Sequence, residues 1–283
     1  MIPRWVLPLL RCPVCREGAL RPADTAVRCG SCARTYPCDT VARLVPADSP
    51  LWLAHRIGTR AQVDARLAQL EASGWIGDAM IRDVRPGATV LSVGEGCGEM
   101  LVRLATRFPR VYFVGTDISR DRVEMATALK DQRALENAWF CVADAMCLPF
   151  AAGAFEVGYV RGVLHVLPSP EAALTELRRV LRTRLLVDRL ANRPFFALWS
   201  WLLQQFENVR AMLQHRPSDR GIWQSVVETL QTGTYRPLWR YRAWFRQDRS
   251  ARVRATSLLI WERPRHIPVL GWLGIAGSID VRL

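Results

Sequence analysis

The chain has almost no lysine: of its 39 basic residues, all but Lys130 are arginine. Because this bias partly reflects coding preference, the formal net charge of +13 alone indicates no particular partner. No apolar run reaches the ~20 residues that a membrane-spanning helix requires, so we expect none. The apolar opening, residues 5–10, is too short for a signal peptide and lacks a cleavage site. A chain of 283 residues, half of them hydrophobic, can bury a full α/β core and carry one small extra module.

Two cysteine pairs near the N-terminus predict a metal site. Cys12 and Cys15 form one C-x-x-C turn, and Cys29 and Cys32 form a second one after thirteen intervening residues. Each turn can present two thiolates to one ion, and this spacing is typical of a tetrahedral Zn²⁺ site. Because the chain fills all four positions, we expect a structural zinc ion; the alternative is four reduced free thiols.

The other four cysteines do not pair with anything by spacing: Cys38, Cys97, Cys141 and Cys147. Unpaired thiols beside a thiolate metal site are typical of a reduced, cytoplasmic protein, and we expect that location.

A glycine-rich turn follows an apolar run at residues 90–93. Gly94, Gly96 and Gly98 alternate with other residues, and a helical pattern begins directly after them. The third glycine comes too early for the dinucleotide fingerprint, so no pyrophosphate seat is predicted. Asp117 closes the next apolar run, where a carboxylate can hold ribose hydroxyls. The spacing therefore indicates a nucleoside-containing cofactor other than a dinucleotide.

Helical and strand patterns alternate along the chain, which predicts a parallel α/β sheet. We expect a zinc module at 1–46, a cofactor-binding domain at 51–264 with an insert at 189–234, and an apolar tail at 265–283. Residues 235–245 and 252–261 are expected to form a closing antiparallel pair of strands.

The ordered motifs between residues 75 and 188 resemble those of class I S-adenosylmethionine-dependent methyltransferases, type 11-like. The resemblance rests on the glycine turn, on Asp117, on Asp-Ala-Met-Cys-Leu-Pro-Phe at 144–150, and on residues 161–167. It implies a doubly wound, seven-stranded Rossmann-like sheet that binds S-adenosylmethionine. It also implies that Asp117 binds the ribose hydroxyls of the cofactor and that Asp144 binds its adenine amino group. The full cofactor-binding set that it implies is Gly94, Glu95, Gly96, Gly98, Asp117, Ile118, Asp144 and Ala145.

The chain departs from this family at Ser92, where an acidic residue is usual. We expect Glu95, inside the glycine turn, to take over the contact with the ammonium group of the cofactor. His165 follows the fourth strand of the pattern and is the candidate catalytic base, because a neutral imidazole can accept a proton from a nucleophile. The alternative for His165 is a purely structural role.

The N-terminal module resembles the small zinc-ribbon proteins that activate tRNA and translation-factor methyltransferases. Here the ribbon precedes the catalytic domain in the same chain. Ribosomal guanine-N1 methyltransferases also begin with a zinc module, but theirs usually includes a histidine ligand.

The segment 178–265 contains 18 arginines against six acidic residues, interleaved with aromatic side chains. This pattern fits RNA binding, contact with a membrane surface, or core helices with a solvated arginine face. A resemblance to quinone-biosynthesis methyltransferases favours a small-molecule or lipid-like acceptor. RNA methylation and a catalytically inactive binding scaffold remain the alternatives.

Overall fold

A computed structural model describes residues 2–47, 49, 59–73, 81, 84–191, 205, 208–209, 243–245, 252–256 and 276–283. The chain divides into two compact units. The first comprises Met1–Val160, Glu171–Leu186 and Arg282–Leu283, and the second comprises Arg161–Pro170 and Val187–Val281.

The first unit begins with a small antiparallel sheet. After a 3₁₀ turn at Leu7–Leu9, strands β1 (Leu20–Ala23), β2 (Ala26–Cys29) and β3 (Thr35–Pro37) pair in the order β1-β2-β3. Val27 and Tyr36 lie opposite each other in the β2–β3 register and are both buried. Cys29 ends β2, so the hairpin places one of the predicted metal ligands directly.

The rest of the first unit is built on a parallel sheet. Its strands are β4 (Ala42–Arg43), β5 (Thr89–Val93), β6 (Tyr112–Asp117), β7 (Ala138–Val142), β8 (Phe155–Arg161) and β9 (Leu181–Ala191), in the order β9-β8-β5-β6-β7-β4. Strands β4 to β8 pair in parallel, with β5 meeting β6 from Thr89↔Tyr112 to Val93↔Thr116. The chain therefore winds outward from β5 in both directions, which confirms the doubly wound Rossmann-like fold.

Among the described residues, four helices accompany these strands: α1 (Arg60–Ser73), α2 (Glu99–Arg107), α3 (Arg120–Gln132) and α4 (Pro170–Val180). The helix expected after the glycine turn is α2, whose apolar side chains Leu101, Leu104 and Ala105 are all buried. Val63 and Leu67 of α1 are buried as well, and α1 packs against α2. Both faces follow from apolar residues three and four positions apart.

The second unit contains an antiparallel strand pair. Strand β10 (Arg252–Thr256) pairs with β11 (Ala276–Arg282), in a register that runs from Arg252↔Asp280 to Thr256↔Ala276. The expected strand does not extend over residues 243–245, which form a helical turn. Residues 235–242 and 257–261, which make up most of the expected strand pair, lie outside the described part of the chain. The local pattern identified a strand, but long-range packing selects its partner.

The N-terminal module joins the parallel sheet at two places. In the first, β4 extends the sheet edge by pairing with β7, and the Leu44 N–H donates to the Val142 carbonyl at 2.8 Å. In the second, Leu10 bridges Phe150 in antiparallel fashion. Backbone hydrogen bonds thus tie the module to both ends of the segment that follows β7.

An ion pair between the buried Glu176 and Arg179, both in α4, also contacts the segment that follows β7. Glu176 of α4 is 2% exposed, and both of its carboxylate oxygens accept hydrogen bonds from Arg179, at 3.0 and 2.7 Å. Glu176 also accepts the Leu148 N–H, while Arg179 donates to the Leu148 and Phe150 carbonyls. Arg16 of the metal module lies 3.4 Å from the same carboxylate.

We predict that Glu176→Gln lowers the free energy of unfolding by about 3 kcal/mol, because it leaves the Arg179 charge without its buried counter-charge. Chemical denaturation measures the change. Glu171→Gln, at an exposed position in the first turn of the same helix, is the matched control and should change stability by less than about 1 kcal/mol. Equal effects of the two substitutions would contradict the structural role of the buried pair.

Candidate functional site

The glycine turn lies between β5 and α2. All three glycines have positive φ angles, and Gly94 and Glu95 both donate their N–H groups to the Thr116 carbonyl. A Cβ at Gly98 would lie 2.7 Å from the Ala126 Cβ, so this glycine allows α2 to pack closely against α3. A Cβ at Gly96 would meet nothing within 4 Å. The turn is therefore packed at Gly98 and faces open space at Gly96.

Asp117 ends β6 beside this turn and is 6% exposed. Its Oδ2 accepts the Gly96 N–H at 3.0 Å, and its Oδ1 accepts the Ser119 N–H at 2.9 Å. The Arg122 guanidinium lies 3.9 Å from Oδ2. A carboxylate oxygen can accept two hydrogen bonds, so each oxygen keeps acceptor capacity for a ligand. The structure thus brings Gly96 and Asp117 together, with Ile118 half-buried directly after them.

Glu95 lies beside Ser92, the position at which we expected an acidic residue from the family resemblance. The buried Ser92 hydroxyl donates to Glu95 Oε2, and Glu95 Oε1 accepts the Leu101 N–H at 2.9 Å. A carboxylate that accepts a backbone N–H group at the N-terminus of a helix is favoured by the helix dipole. The negative charge therefore lies next to Ser92, supplied by a residue three positions further along the chain.

Asp144 follows β7 by two residues and is 5% exposed. Its Oδ1 accepts the Met146 N–H at 2.8 Å, and its Oδ2 accepts the Ser49 hydroxyl at 2.9 Å. Ala145, the other residue expected on the adenine side, is also buried. The Ala143 N–H donates to the Asp117 carbonyl at 3.0 Å, so both acidic residues extend from the same edge of the sheet. Sequence reasoning missed Ser49, which belongs to no motif.

The four predicted metal ligands are also brought together. The sulfur atoms of Cys12, Cys15, Cys29 and Cys32 all lie within 4.8 Å of one another. Cys12 and Cys32 are 3.7 Å apart, and Cys15 and Cys29 are 3.5 Å apart. Tetrahedral coordination with Zn–S bonds near 2.3 Å requires sulfur separations of about 3.8 Å. The cluster therefore fits one tetrahedral ion.

Hydrogen bonds around the cluster favour thiolates at two of its positions. Burial opposes ionisation of Cys12, but the Tyr36 hydroxyl, 3.0 Å from its sulfur, and backbone N–H groups outweigh burial and lower its pKa to about 6. Backbone N–H groups likewise lower the pKa of Cys29 against burial. The pKa of Cys32 is instead raised to about 11, because burial and the neighbouring sulfurs outweigh a backbone hydrogen bond from Arg34. A bound cation would stabilise the Cys32 thiolate against burial and the neighbouring sulfur atoms.

His165 lies in the second unit, on a 3₁₀ turn at Leu164–Val166, and is 8% exposed. Burial lowers the pKa of its imidazole to about 4, so the side chain is neutral at pH 7. A neutral imidazole has a nitrogen that can accept a proton.

Cys141 and Cys147, which lie on either side of Asp144 in the sequence, are not activated nucleophiles. Burial raises the pKa of Cys141 well above its ordinary value, and it raises that of Cys147, beside Asp144, to about 12. A thiol needs a lowered pKa to react readily at neutral pH. Cys141 is fully buried in β7, as expected for a small hydrophobic side chain.

Most of the arginine-rich segment, 192–251 with short exceptions, lies outside the described residues. The expected aromatic membrane contact at 195–203 falls there. Among the residues that are described, no helix combines the length and apolar character needed to cross a bilayer.

The region that contains Gly94, Asp117 and Asp144 is similar in sequence to known methyltransferases. A family model described as a methyltransferase domain matches residues 90–184. A ubiquinone/menaquinone biosynthesis C-methyltransferase of Cereibacter sphaeroides is 28% identical over 200 residues, covering 67% of this chain and 80% of that protein. The enzyme of the same description from Dinoroseobacter shibae is 31% identical over 162 residues, covering 54% of this chain and 64% of that protein.

Solved structures agree on the fold. A complex between the Haloferax volcanii Trm112 methyltransferase activator and a proposed methyltransferase aligns with a TM-score of 0.53 at 19% identity, covering 81% of this chain and 99% of that chain. An S-adenosylmethionine-dependent methyltransferase from Thermotoga maritima aligns with a TM-score of 0.50 at 14% identity, covering 78% and 95%. The matched domain includes the glycine turn, Asp117 and Asp144. Over this domain the chain is similar to S-adenosylmethionine-dependent methyltransferases.

Proposed function

We propose that this protein transfers a methyl group from S-adenosylmethionine to a small-molecule or lipid-like acceptor. The observation that carries the cofactor assignment is the juxtaposition of the open Gly96 position with Asp117 at the carboxyl edge of the sheet. The acceptor class rests on relatives described as ubiquinone/menaquinone biosynthesis C-methyltransferases. The absence of a disulfide at any of the eight cysteines, all of which lie in the described residues, supports a cytoplasmic location.

The residues of the site have distinct binding roles in this proposal. Asp117 accepts hydrogen bonds from the ribose hydroxyls with the capacity left by Gly96 and Ser119. Asp144 accepts the adenine amino group, and Glu95 faces the ammonium group. When bound, S-adenosylmethionine supplies an already activated methyl group, so the protein need only align the acceptor with it and exclude water.

When the methyl acceptor must lose a proton during the transfer, His165 takes up that proton. Its lowered pKa keeps it neutral at physiological pH, which this role requires.

We predict that the protein binds S-adenosylmethionine and that Asp117→Ala weakens binding about 100-fold, against about tenfold for Asp144→Ala. The difference arises because Asp117 accepts two charge-assisted hydrogen bonds and Asp144 accepts one. Isothermal calorimetry measures both affinities. Asp121→Ala, at an exposed carboxylate in the first turn of α3, is the control and should bind as the wild type does. Unchanged affinity in Asp117→Ala would refute the ribose assignment.

We also propose that Cys12, Cys15, Cys29 and Cys32 hold one structural zinc ion. Four thiolates from the chain complete a tetrahedral shell and leave no coordination position for a substrate. The Tyr36 hydroxyl, which hydrogen-bonds Cys12, would orient that ligand from outside the shell.

Metal analysis of protein purified without chelator should give about one zinc per chain, and Cys12→Ser should remove it. Because the module belongs to the same compact unit as the parallel sheet, loss of the metal should lower the melting temperature by roughly 5–10 °C. Cys38→Ser, which removes a half-buried thiol outside the cluster, should retain both zinc and stability. Zinc-free wild-type protein would disprove the site.

The acceptor class can be tested with one methyl-transfer assay. Incubation with labelled S-adenosylmethionine should label prenylated hydroquinones or related aromatic lipids and leave tRNA and rRNA unlabelled. His165→Gln should lower kcat at least tenfold while leaving the affinity for S-adenosylmethionine unchanged, since it removes only the proton acceptor. Labelled RNA would favour the RNA alternative instead. Cofactor binding with no methyl transfer to any acceptor would favour the inactive scaffold.

A further inference from the structure

The segment Asp144–Phe150 forms the adenine side of the proposed cofactor site, and the N-terminal module holds it at both ends. At its end, the Arg11 N–H donates to the Pro149 carbonyl at 2.9 Å, and the Ala151 N–H donates to the Leu9 carbonyl at 2.8 Å. At its start, β4 pairs with the last residues of β7. The position of this segment is therefore set partly by residues outside the matched methyltransferase domain.

Ser49 follows β4 by six residues and reaches the segment directly. The Leu44 N–H bonds to the Val142 carbonyl, and the Ser49 N–H then donates to the Pro46 carbonyl at 3.1 Å, closing a turn. This path places the half-buried Ser49 hydroxyl 2.9 Å from Asp144 Oδ2. The opposite oxygen, Oδ1, is held by the Met146 N–H.

We propose that Ser49 is a positioning residue of the cofactor site: its hydroxyl fixes the Asp144 carboxylate in the orientation that receives the adenine amino group. The proposal rests on the proposed S-adenosylmethionine binding. With one hydrogen bond to each oxygen, the carboxylate cannot rotate about its Cβ–Cγ bond without losing both. Each oxygen keeps acceptor capacity, so the two bonds orient Asp144 without saturating it.

If Ser49 had a different role, removing its hydroxyl would change the affinity for S-adenosylmethionine in the opposite direction. If the hydroxyl occupied the place of the adenine amino group, S-adenosylmethionine would have to displace it, and removing the hydroxyl would tighten binding. We favour positioning because the two existing bonds lie on different oxygens, so neither oxygen is filled.

Calorimetric titration of the full-length protein with S-adenosylmethionine distinguishes these roles. Ser49→Ala should weaken binding about fivefold to tenfold, the usual consequence of losing one hydrogen bond to a charged partner. Ser49→Thr retains the hydroxyl and should bind within about twofold of the wild type. The melting temperature of both variants should stay close to that of the wild type, since Ser49 is only half-buried.

Thr40→Val is the matched control. Thr40 lies in the N-terminal module just before β4, but its hydroxyl donates to Glu124 of α3, away from the 144–150 segment. Its affinity for S-adenosylmethionine should therefore be unchanged. Equal weakening in Thr40→Val and Ser49→Ala would show general loosening and overturn the positioning role. Unchanged or tighter binding in Ser49→Ala would also overturn it, with the proposed function intact. Absence of binding in the wild type would instead remove the proposed function and this inference with it.

Discussion

Buried backbone N–H and C=O groups need hydrogen-bond partners, and this requirement shapes the irregular segment between β7 and β8. Residues 144–151 cannot satisfy these groups within a strand or helix. The partners come from three places: α4 through Glu176 and Arg179, the metal module through Leu9 and Arg11, and the segment's own Asp144. Because the residues that we propose to contact adenine lie in this segment, the proposed cofactor site depends on contacts that are distant in sequence.

Asp117 and Asp144 both accept hydrogen bonds from the chain's own backbone, and both are proposed to bind the cofactor as well. Asp117 holds the glycine turn to the end of β6, and Asp144 closes the turn after β7, so each carboxylate is oriented before a ligand arrives. Such preorganisation reduces the entropy lost on binding. The carboxylate beside Ser92 belongs to a residue at a different position in the sequence. Ser92 lies in the strand, Glu95 lies in the glycine turn, and the Ser92 hydroxyl donates a hydrogen bond to the Glu95 carboxylate.

The local features could be predicted from the sequence because short spacings determine them. The glycine turn, the doubly wound order and the four clustered cysteines all follow from residues within about thirty positions of one another. Three long-range features could not be predicted: the two-residue strand β4, the Arg16–Glu176 contact and the Ser49–Asp144 hydrogen bond. Each joins segments about 95 to 160 residues apart in the sequence, and no periodic pattern indicates such a contact. The pairing of β10 with the C-terminal tail was not predicted for the same reason: alternation identifies a strand, but packing chooses its neighbour.

We propose that the N-terminal module holds the segment 144–150 in place. Amide hydrogen exchange of the full-length protein, with and without a chelator that removes zinc, tests this. Metal removal should speed exchange at the Met146, Leu148 and Ala151 amides, while the amides paired between β5 and β6 should stay protected. Unchanged protection at those three amides after complete loss of the metal would contradict it.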